Sequence, residues 1–472
     1  MADVTPEARD YLERRSLRGG TASWVLLAGL GVAYVISGDF AGWNFGLAQG
    51  GWGGLLVATV LMAVMYGCMV LALAELSSAL PTAGGGYTFA RRALGPWGGF
   101  ATGTAILVEY AVAPAAIATF TGAYVESLGL FGITDGWWIY LVCYALFIGL
   151  HLMGVGEALK IMFAITAVAV VALVAFVVGM VPHFDAANLT DIPPTDAVGA
   201  SAFLPFGVIG IWAALPYGIW FFLAVEGVPL AAEEARDPAR AVPKGIVASM
   251  LVLGLFAALV VVFAPGGAGA SALGESGNPL VDALQAATGG STWLSQFVNY
   301  VGLLGLIASF FSIIYAYSRQ TFALSRAGYL PRALSVTNAR KAPVLALVVP
   351  GVIGFLLSLT GQGNLLINAA VFGATISYVL MMVSHIVLRR TQPDLPRPYR
   401  TPGGTVTSSA ALVLAALAVV ATFLVDVVAA LCALGAYALL LLYFGLYSRH
   451  HLVAAAPEEE FAALAEAESE LK

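Results

Sequence analysis

The 472-residue chain is 60% hydrophobic and 10% charged, with a mean hydropathy of +0.90. A water-soluble chain carries roughly 25% charged residues, so a soluble globular protein is excluded and the surface must face lipid. The net charge of −6 lacks the basic footprint that phosphate binding needs, which argues against a nucleic-acid partner.

The first twenty residues are polar and charged, unlike the short apolar core and cleavage site of a removable signal peptide. Beyond them, apolar runs of the length a bilayer requires, about 20 residues for about 30 Å of hydrocarbon, follow one another almost without pause. About twelve spans are expected: 22–48, 52–74, 97–127, 136–154, 158–181, 204–225, 246–263, 293–318, 344–359, 365–388, 406–425 and 427–447. The ninth and tenth share one charge-free stretch and are divided at the turn-forming cluster Thr360-Gly361-Gln362-Gly363-Asn364.

Basic residues test this topology independently, because cytoplasmic loops collect Lys and Arg. With both termini in the cytoplasm, all 21 basic residues fall on that side of an inner membrane. The opposite loops 182–202 and 265–292 carry only Asp and Glu as full charges, and 266–277 reads as a glycine-rich outer loop. The tail 457–472 reads as a short polar helix or frayed end. Cys68, Cys143 and Cys432 each lie in an apolar run, which is neither disulfide nor zinc spacing.

Broken helices are tolerated in lipid only where they line a protein cavity, so breaks point at a site. The first span is interrupted at Ser37-Gly38-Asp39-Phe40-Ala41-Gly42, and the sixth at Ala224-Val225-Glu226-Gly227-Val228-Pro229. Interruptions five spans apart indicate two inverted five-helix repeats, with substrate held near the midplane between them. The simpler reading of the glycines is close helix packing, but an acid at both breaks favours a site. The expected domains are 1–21, a cytoplasmic segment; 22–182 and 203–389, the two repeats; 406–447, two further helices; and 448–472, a cytoplasmic tail.

Glu109 lies about twelve residues into the third span, near the bilayer centre at about 1.5 Å per residue. An ionisable group at that depth costs about 2.5–3.5 kcal/mol, so Asp39, Glu109 and Glu226 together strain the fold by roughly 8–10 kcal/mol unless they are partnered. No Lys or Arg is expected at the same depth. The missing partner is a cationic solute, a metal cation or protons; the alternative is a protonated Glu109 hydrogen-bonded to a neighbouring helix. Tyr110 adjoins Glu109, and Trp220 and Phe222 precede the second break, where ring faces can cage a cation at about 0.5–2 kcal/mol each. Glu75, Arg319, His151 and His385 fall near cytoplasmic helix ends and read as structural or gating residues. No catalytic motif, cofactor motif or metal-ligand spacing competes with transport, so no enzyme is expected.

Three segments then carry a resemblance: 74–87 (AELSSALPTAGGGY), 232–243 (AEEARDPARAVP) and 325–331 (SRAGYLP). They resemble signatures of the amino acid, polyamine and organocation transporter superfamily, which implies an all-α fold like that of the leucine transporter, with discontinuous first and sixth helices. Within it, 34–46 (YVISGDFAGWNFG) and 222–230 (FLAVEGVPL) look like the ethanolamine permeases, which implies an ethanolamine carrier. Amino-acid carriers keep the first break free of acids so that its amides can hold a substrate carboxylate. Asp39 occupies that ground here, and at 4 Å with an effective dielectric of 20 it would oppose such a carboxylate by about 4 kcal/mol. The superfamily's usual glycine two residues before the sixth-helix Glu is Ala224, and the Lys that many members carry in the fifth helix is Ala169.

The expectation is a secondary carrier that imports a small protonated amine, most concretely ethanolamine, by alternating access. Ser37, Asp39, Glu109, Tyr110, Trp220, Phe222, Ala224 and Glu226 are the substrate-site candidates. Ser309 and Ser312 are candidates for a coupling-ion site, the ion being H⁺ or Na⁺. The alternatives are an amino-acid permease, proton-coupled or exchanging, and an amine-gated channel or sensor.

Overall fold

The computed structural model describes residues 22–81, 84–129, 136–153 and 156–452, and among them the regular structure is helical. The N-terminal segment 1–21 and the tail 457–472 lie outside the described residues. In chain order the helices are Trp24–Val35 (α1), Ser37–Phe40 (α2), Phe45–Ala79 (α3), Gly86–Ser127 (α4), Trp137–Leu152 (α5), Gly156–Met180 (α6) and Gly207–Trp220 (α7). Then follow Pro238–Ala268 (α8), Ala270–Leu273 (α9), Pro279–Thr288 (α10), Trp293–Arg326 (α11), Val344–Ser358 (α12), Gly363–Thr391 (α13), Thr405–Val425 (α14) and Val427–Leu446 (α15).

Among the described residues nine stretches are long and apolar enough to cross a membrane. Three shorter apolar helices, Trp24–Phe40, Trp137–Leu152 and Val344–Ser358, stand where the first, fourth and ninth crossings are expected. Two long helices contain hidden corners. Gly51 in α3 adopts φ 67°, ψ 178°, so residues 45–50 finish the first crossing before 52–79 make the second. Gly95 in α4, with φ 74° and Pro96 behind it, separates a short leading helix from the third crossing.

The most enclosed crossings are α4, with 78% of its apolar stretch buried, and α11 and the sixth crossing, Gly207–Ala232, with 72% each. For the last crossing the value is 28%, which puts it at the rim. There α14 lies against α3, α7 and α13, and α15 lies against α4 and α13. The stretch 266–277 departs from the expected plain loop, because α9 lies within it and α10 follows. Leu280, Val281, Ala283 and Leu284 of α10 are buried, so tertiary packing turns a glycine-rich connection into a folded cover. All three cysteines are free thiols, two half-buried and one exposed.

Both expected breaks are present, and they abut. After α2 the chain extends at Ala41 (φ −158°, ψ 159°) and swings through Gly42 at φ 94°. A Cβ on Gly38 would lie 2.5 Å from the Trp220 carbonyl oxygen, and one on Gly42 would lie 2.6 Å from Trp220 Nε1. The sixth crossing stops at Trp220, turns through 221–224, and continues as a 3-10 helix, Val225–Glu234. Ala224 holds the corner at φ 78°, ψ 4°, left-handed geometry that costs a non-glycine residue roughly 1–2 kcal/mol.

Replacing Ala224 with Gly is therefore expected to raise the stability of the detergent-solubilised protein by about 1 kcal/mol, the relief being partly offset by glycine's freedom in the unfolded chain. An unchanged or lower thermal midpoint for Ala224→Gly would remove the strain account.

Candidate functional site

The first break is bolted to α11. Ser309 Oγ donates to the Ala33 carbonyl at 2.7 Å, lies 3.1 Å from the Tyr34 carbonyl, and accepts the Ser37 amide at 3.1 Å. One hydroxyl thus serves three backbone groups that the stopped helix leaves free. One turn further along, the Ser312 hydroxyl is buried with no partner. The far side of the break is held by Trp220 Nε1, which donates to the Ala41 carbonyl at 2.9 Å, and by Tyr124, whose hydroxyl donates to the Phe40 carbonyl at 3.1 Å.

The second break delivers Glu226 into a ring of phenols. Tyr110 on α4 donates to its Oε1 at 2.9 Å, and Tyr378 on α13 donates to its Oε2 at 3.2 Å. Tyr66 on α3 backs Tyr378 at 2.8 Å between hydroxyls. Tyr34 on α1 closes the remaining side, its ring and the Tyr110 hydroxyl leaving no room for a Cβ on Gly227.

Glu109 enters the same ring from α4, completely buried and close enough to Glu226 for the two carboxyl groups to interact. With both groups written as carboxylates, neither Glu109 oxygen has a donor. A proton on either group, or a cation between them, supplies what is missing.

The structure therefore brings together Glu109, Tyr110 and Glu226, with Ala224 forming the corner beside them. Phe222 packs its ring 5.3 Å from that of Tyr66, at the edge of the cluster. Trp220 is occupied with the first break and stands edge-on to Phe120 at 6.3 Å. Asp39 is not brought in. Both its oxygens are buried without a hydrogen-bond partner. Ser37 contributes its amide to the bolt on Ser309.

Sequence reasoning missed Tyr66, Tyr378 and the role of Tyr34. Their only signal was a phenol inside an apolar run, which by itself reads as packing. Among the described residues no His, Cys, Asp and Glu group is arranged to hold a metal ion.

Residues 21–446 match the family model described as amino acid permease. The chain belongs to the amino acid permease family. It is 30% identical over 432 residues to an uncharacterized transporter of Rhizobium meliloti (strain 1021), covering 90% of each chain. It is 27% identical to the branched-chain amino acid permease of Bacillus subtilis (strain 168), over 74% of this chain and 77% of that one. With the methylthioribose transporter of the same organism it shares 24% identity over 78% of this chain. The protein is a multi-span membrane transporter.

At the Arg-rich end of this permease the 3-10 helix that carries Glu226 terminates in a latch. Glu234 accepts Arg319 Nη2 at 2.6 Å and the Tyr315 hydroxyl at 2.6 Å, and the guanidinium lies 4.7 Å from the Tyr315 ring centre. The Ala22 amide bonds the Glu234 carbonyl at 2.8 Å, and the Arg236 amide bonds the Ala22 carbonyl at 3.0 Å, tying the start of α1 to the same point. His151 stacks on Phe311 at 4.0 Å beside it. A second cluster joins α3 to α13 and the segment beyond it. Glu75 meets Arg389 Nε at 2.9 Å, Arg397 Nε at 3.0 Å and the Thr401 amide at 2.7 Å, with His385 Nε2 at 3.4 Å.

On the opposite side, Asn44 Nδ2 donates to the carbonyls of Leu273 and Ser276, at 2.7 and 2.8 Å, sealing the α9 cover over the first break.

Removing one partner from the buried latch leaves an uncompensated charge. Arg319→Gln is expected to destabilise the permease by roughly 3 kcal/mol, and Glu234→Gln/Arg319→Gln to recover most of that loss. Thermal denaturation of the two variants beside the parent measures it; equal losses in both would mean that the pair's charge is not what holds this end.

Proposed function

We propose that this permease imports a small protonated amine lacking a carboxylate, most concretely ethanolamine, with the ammonium held between Glu226 and Glu109. The observation that carries this reading is the contact between two fully enclosed carboxyl groups whose polar neighbours are phenols. Tyrosine hydroxyls supply hydrogen bonds but no positive charge. Arg319 is committed to Glu234. An ammonium supplies the charge and the donors together, at a depth where an unpartnered acid is costly. Phe222 and Tyr66 offer apolar walls for the short carbon chain.

Transport follows from the latch and the cover lying on opposite sides of the site. Cytoplasmic release is by opening of the Glu234–Arg319 latch, and entry is by lifting of the α9 cover, as the two five-helix repeats rock about the breaks. If sodium rather than protons drives the cycle, Ser309, Ser312 and the carbonyls of Ala33 and Tyr34 are the oxygens available to it.

A second reading, an amino-acid permease, is favoured by the family and by relatives such as the branched-chain amino acid permease of Bacillus subtilis. It requires the substrate carboxylate to be held by the amides of the two breaks, close to the acids.

Uptake of labelled ethanolamine into proteoliposomes, challenged with amino acids that include the branched-chain ones, separates the two readings. Saturable uptake with trans-acceleration, untouched by amino acids, is expected; competition by amino acids at low concentration would overturn the amine reading. A ligand this small is limited to about −1.5 kcal/mol per non-hydrogen atom, so a dissociation constant of tens of micromolar or weaker is expected. Glu226→Gln is expected to abolish binding while the protein stays folded. Lys244→Gln, at an exposed site on α8, is expected to do neither. Binding retained in Glu226→Gln would take that residue out of the site.

A further inference from the structure

The contact between Glu109 and Glu226 raises a question that substrate binding alone does not answer, namely what stands between the two acids when no amine is there. The phenols cannot fill the gap. Tyr110 and Tyr378 donate to Glu226, and Tyr66 shares its hydrogen bond with Tyr378. Tyr34, on the α1 side, has a hydroxyl with no partner, and that hydroxyl brings no charge. Beyond this layer stand Tyr315, Glu234 and Arg319, where the acid and the base neutralise each other. Both Glu109 oxygens still lack a donor. Two neighbouring carboxylates buried inside a protein cannot both ionise without a counter-charge, and the smallest one available is a proton.

We infer that Glu109 and Glu226 hold one proton between them in the amine-free carrier and that each arriving ammonium displaces it, making the permease a one-for-one exchanger of protonated amine against proton. The inference rests on the amine reading of this site. Its balance is simple. The pair with its proton carries one negative charge; the bare pair with an ammonium carries one negative charge again. The bond broken is the carboxyl O–H, the proton leaves to water, and the ammonium keeps all its own protons. No net charge is added to the buried site, and the full cycle moves no net charge across the membrane.

Exchange of this kind has consequences opposite to those of proton symport. Amine accumulates in the compartment that is more acidic, and a membrane potential has no effect. Where the cytoplasm is the less acidic side, the proton gradient opposes uptake, and net uptake then depends on consumption of the amine inside.

Two measurements test it. In proteoliposomes an acid-inside gradient of one pH unit is expected to drive ethanolamine accumulation of up to about tenfold, while a potassium diffusion potential set with valinomycin leaves it unchanged. Accumulation driven by an acid-outside gradient, or by the potential, would overturn the exchange. In weakly buffered detergent, the purified protein titrated with ethanolamine in the presence of a pH indicator dye is expected to release about one proton per amine bound, with loss of a protonated-carboxyl band in infrared difference spectra. Binding without release would overturn the inference and leave the amine reading standing. No binding and no uptake under any gradient would instead remove the amine reading itself.

Glu109→Gln separates the pair from its neighbours. It is expected to bind ethanolamine more weakly, without proton release and with an affinity independent of pH across the neutral range. Undiminished release in that variant would assign the proton to another group. Because the parent protein carries the first two measurements, a Glu109→Gln variant that fails to fold leaves the test intact.

Discussion

Hydrocarbon offers neither donors nor acceptors, so every helix that stops in mid-membrane must find protein partners for its loose ends. Two of the crossings here stop in that way, and each solution brings a polar residue from elsewhere in the chain. Ser309 satisfies three backbone groups of the first break, and Trp220, at the second break, satisfies a carbonyl of the first. The breaks are thereby held against one another, with glycine at 38 and 42 because no side chain fits between them. Glu226 lies at the second break because it is in the first turn of the 3-10 helix that restarts the sixth crossing.

The same 3-10 helix links the buried carboxyl to one end of the molecule. Glu226 stands near its start and Glu234 at its finish, so a displacement at the site reaches the Arg319–Tyr315 latch along one continuous 3-10 segment. A left-handed alanine at the corner and a proline within the helix keep this segment from relaxing into an ordinary α-helix. Strain at that corner is a physical reason for the segment to have more than one arrangement of similar energy, which alternating access requires.

Membership of the amino acid permease family leaves room for substrates of different chemistry, as the names of its relatives illustrate. The features that bear on substrate charge are local. Acids occur at or beside both breaks, and phenols surround Glu226. Asp39 remains a fully enclosed acid outside the Glu109–Glu226 cluster, without a hydrogen-bond partner among the described residues.

Hydropathy and charge by themselves determined the all-helical membrane fold, the places of twelve crossings and the two interruptions, because lipid imposes length and polarity on each segment separately. Glu109 and Glu226 were visible only as acids at a costly depth on separate helices, and nothing in their spacing said that they touch. That contact, the tyrosines from α1, α3 and α13 around it, and the exclusion of Asp39 were decided by how the helices pack. Helical rotation and crossing geometry fix which face meets which, and both arise from contacts between residues hundreds of positions apart. The α9–α10 cover was illegible for the same reason: a glycine-rich connection acquires its helices from the surfaces it is pressed against.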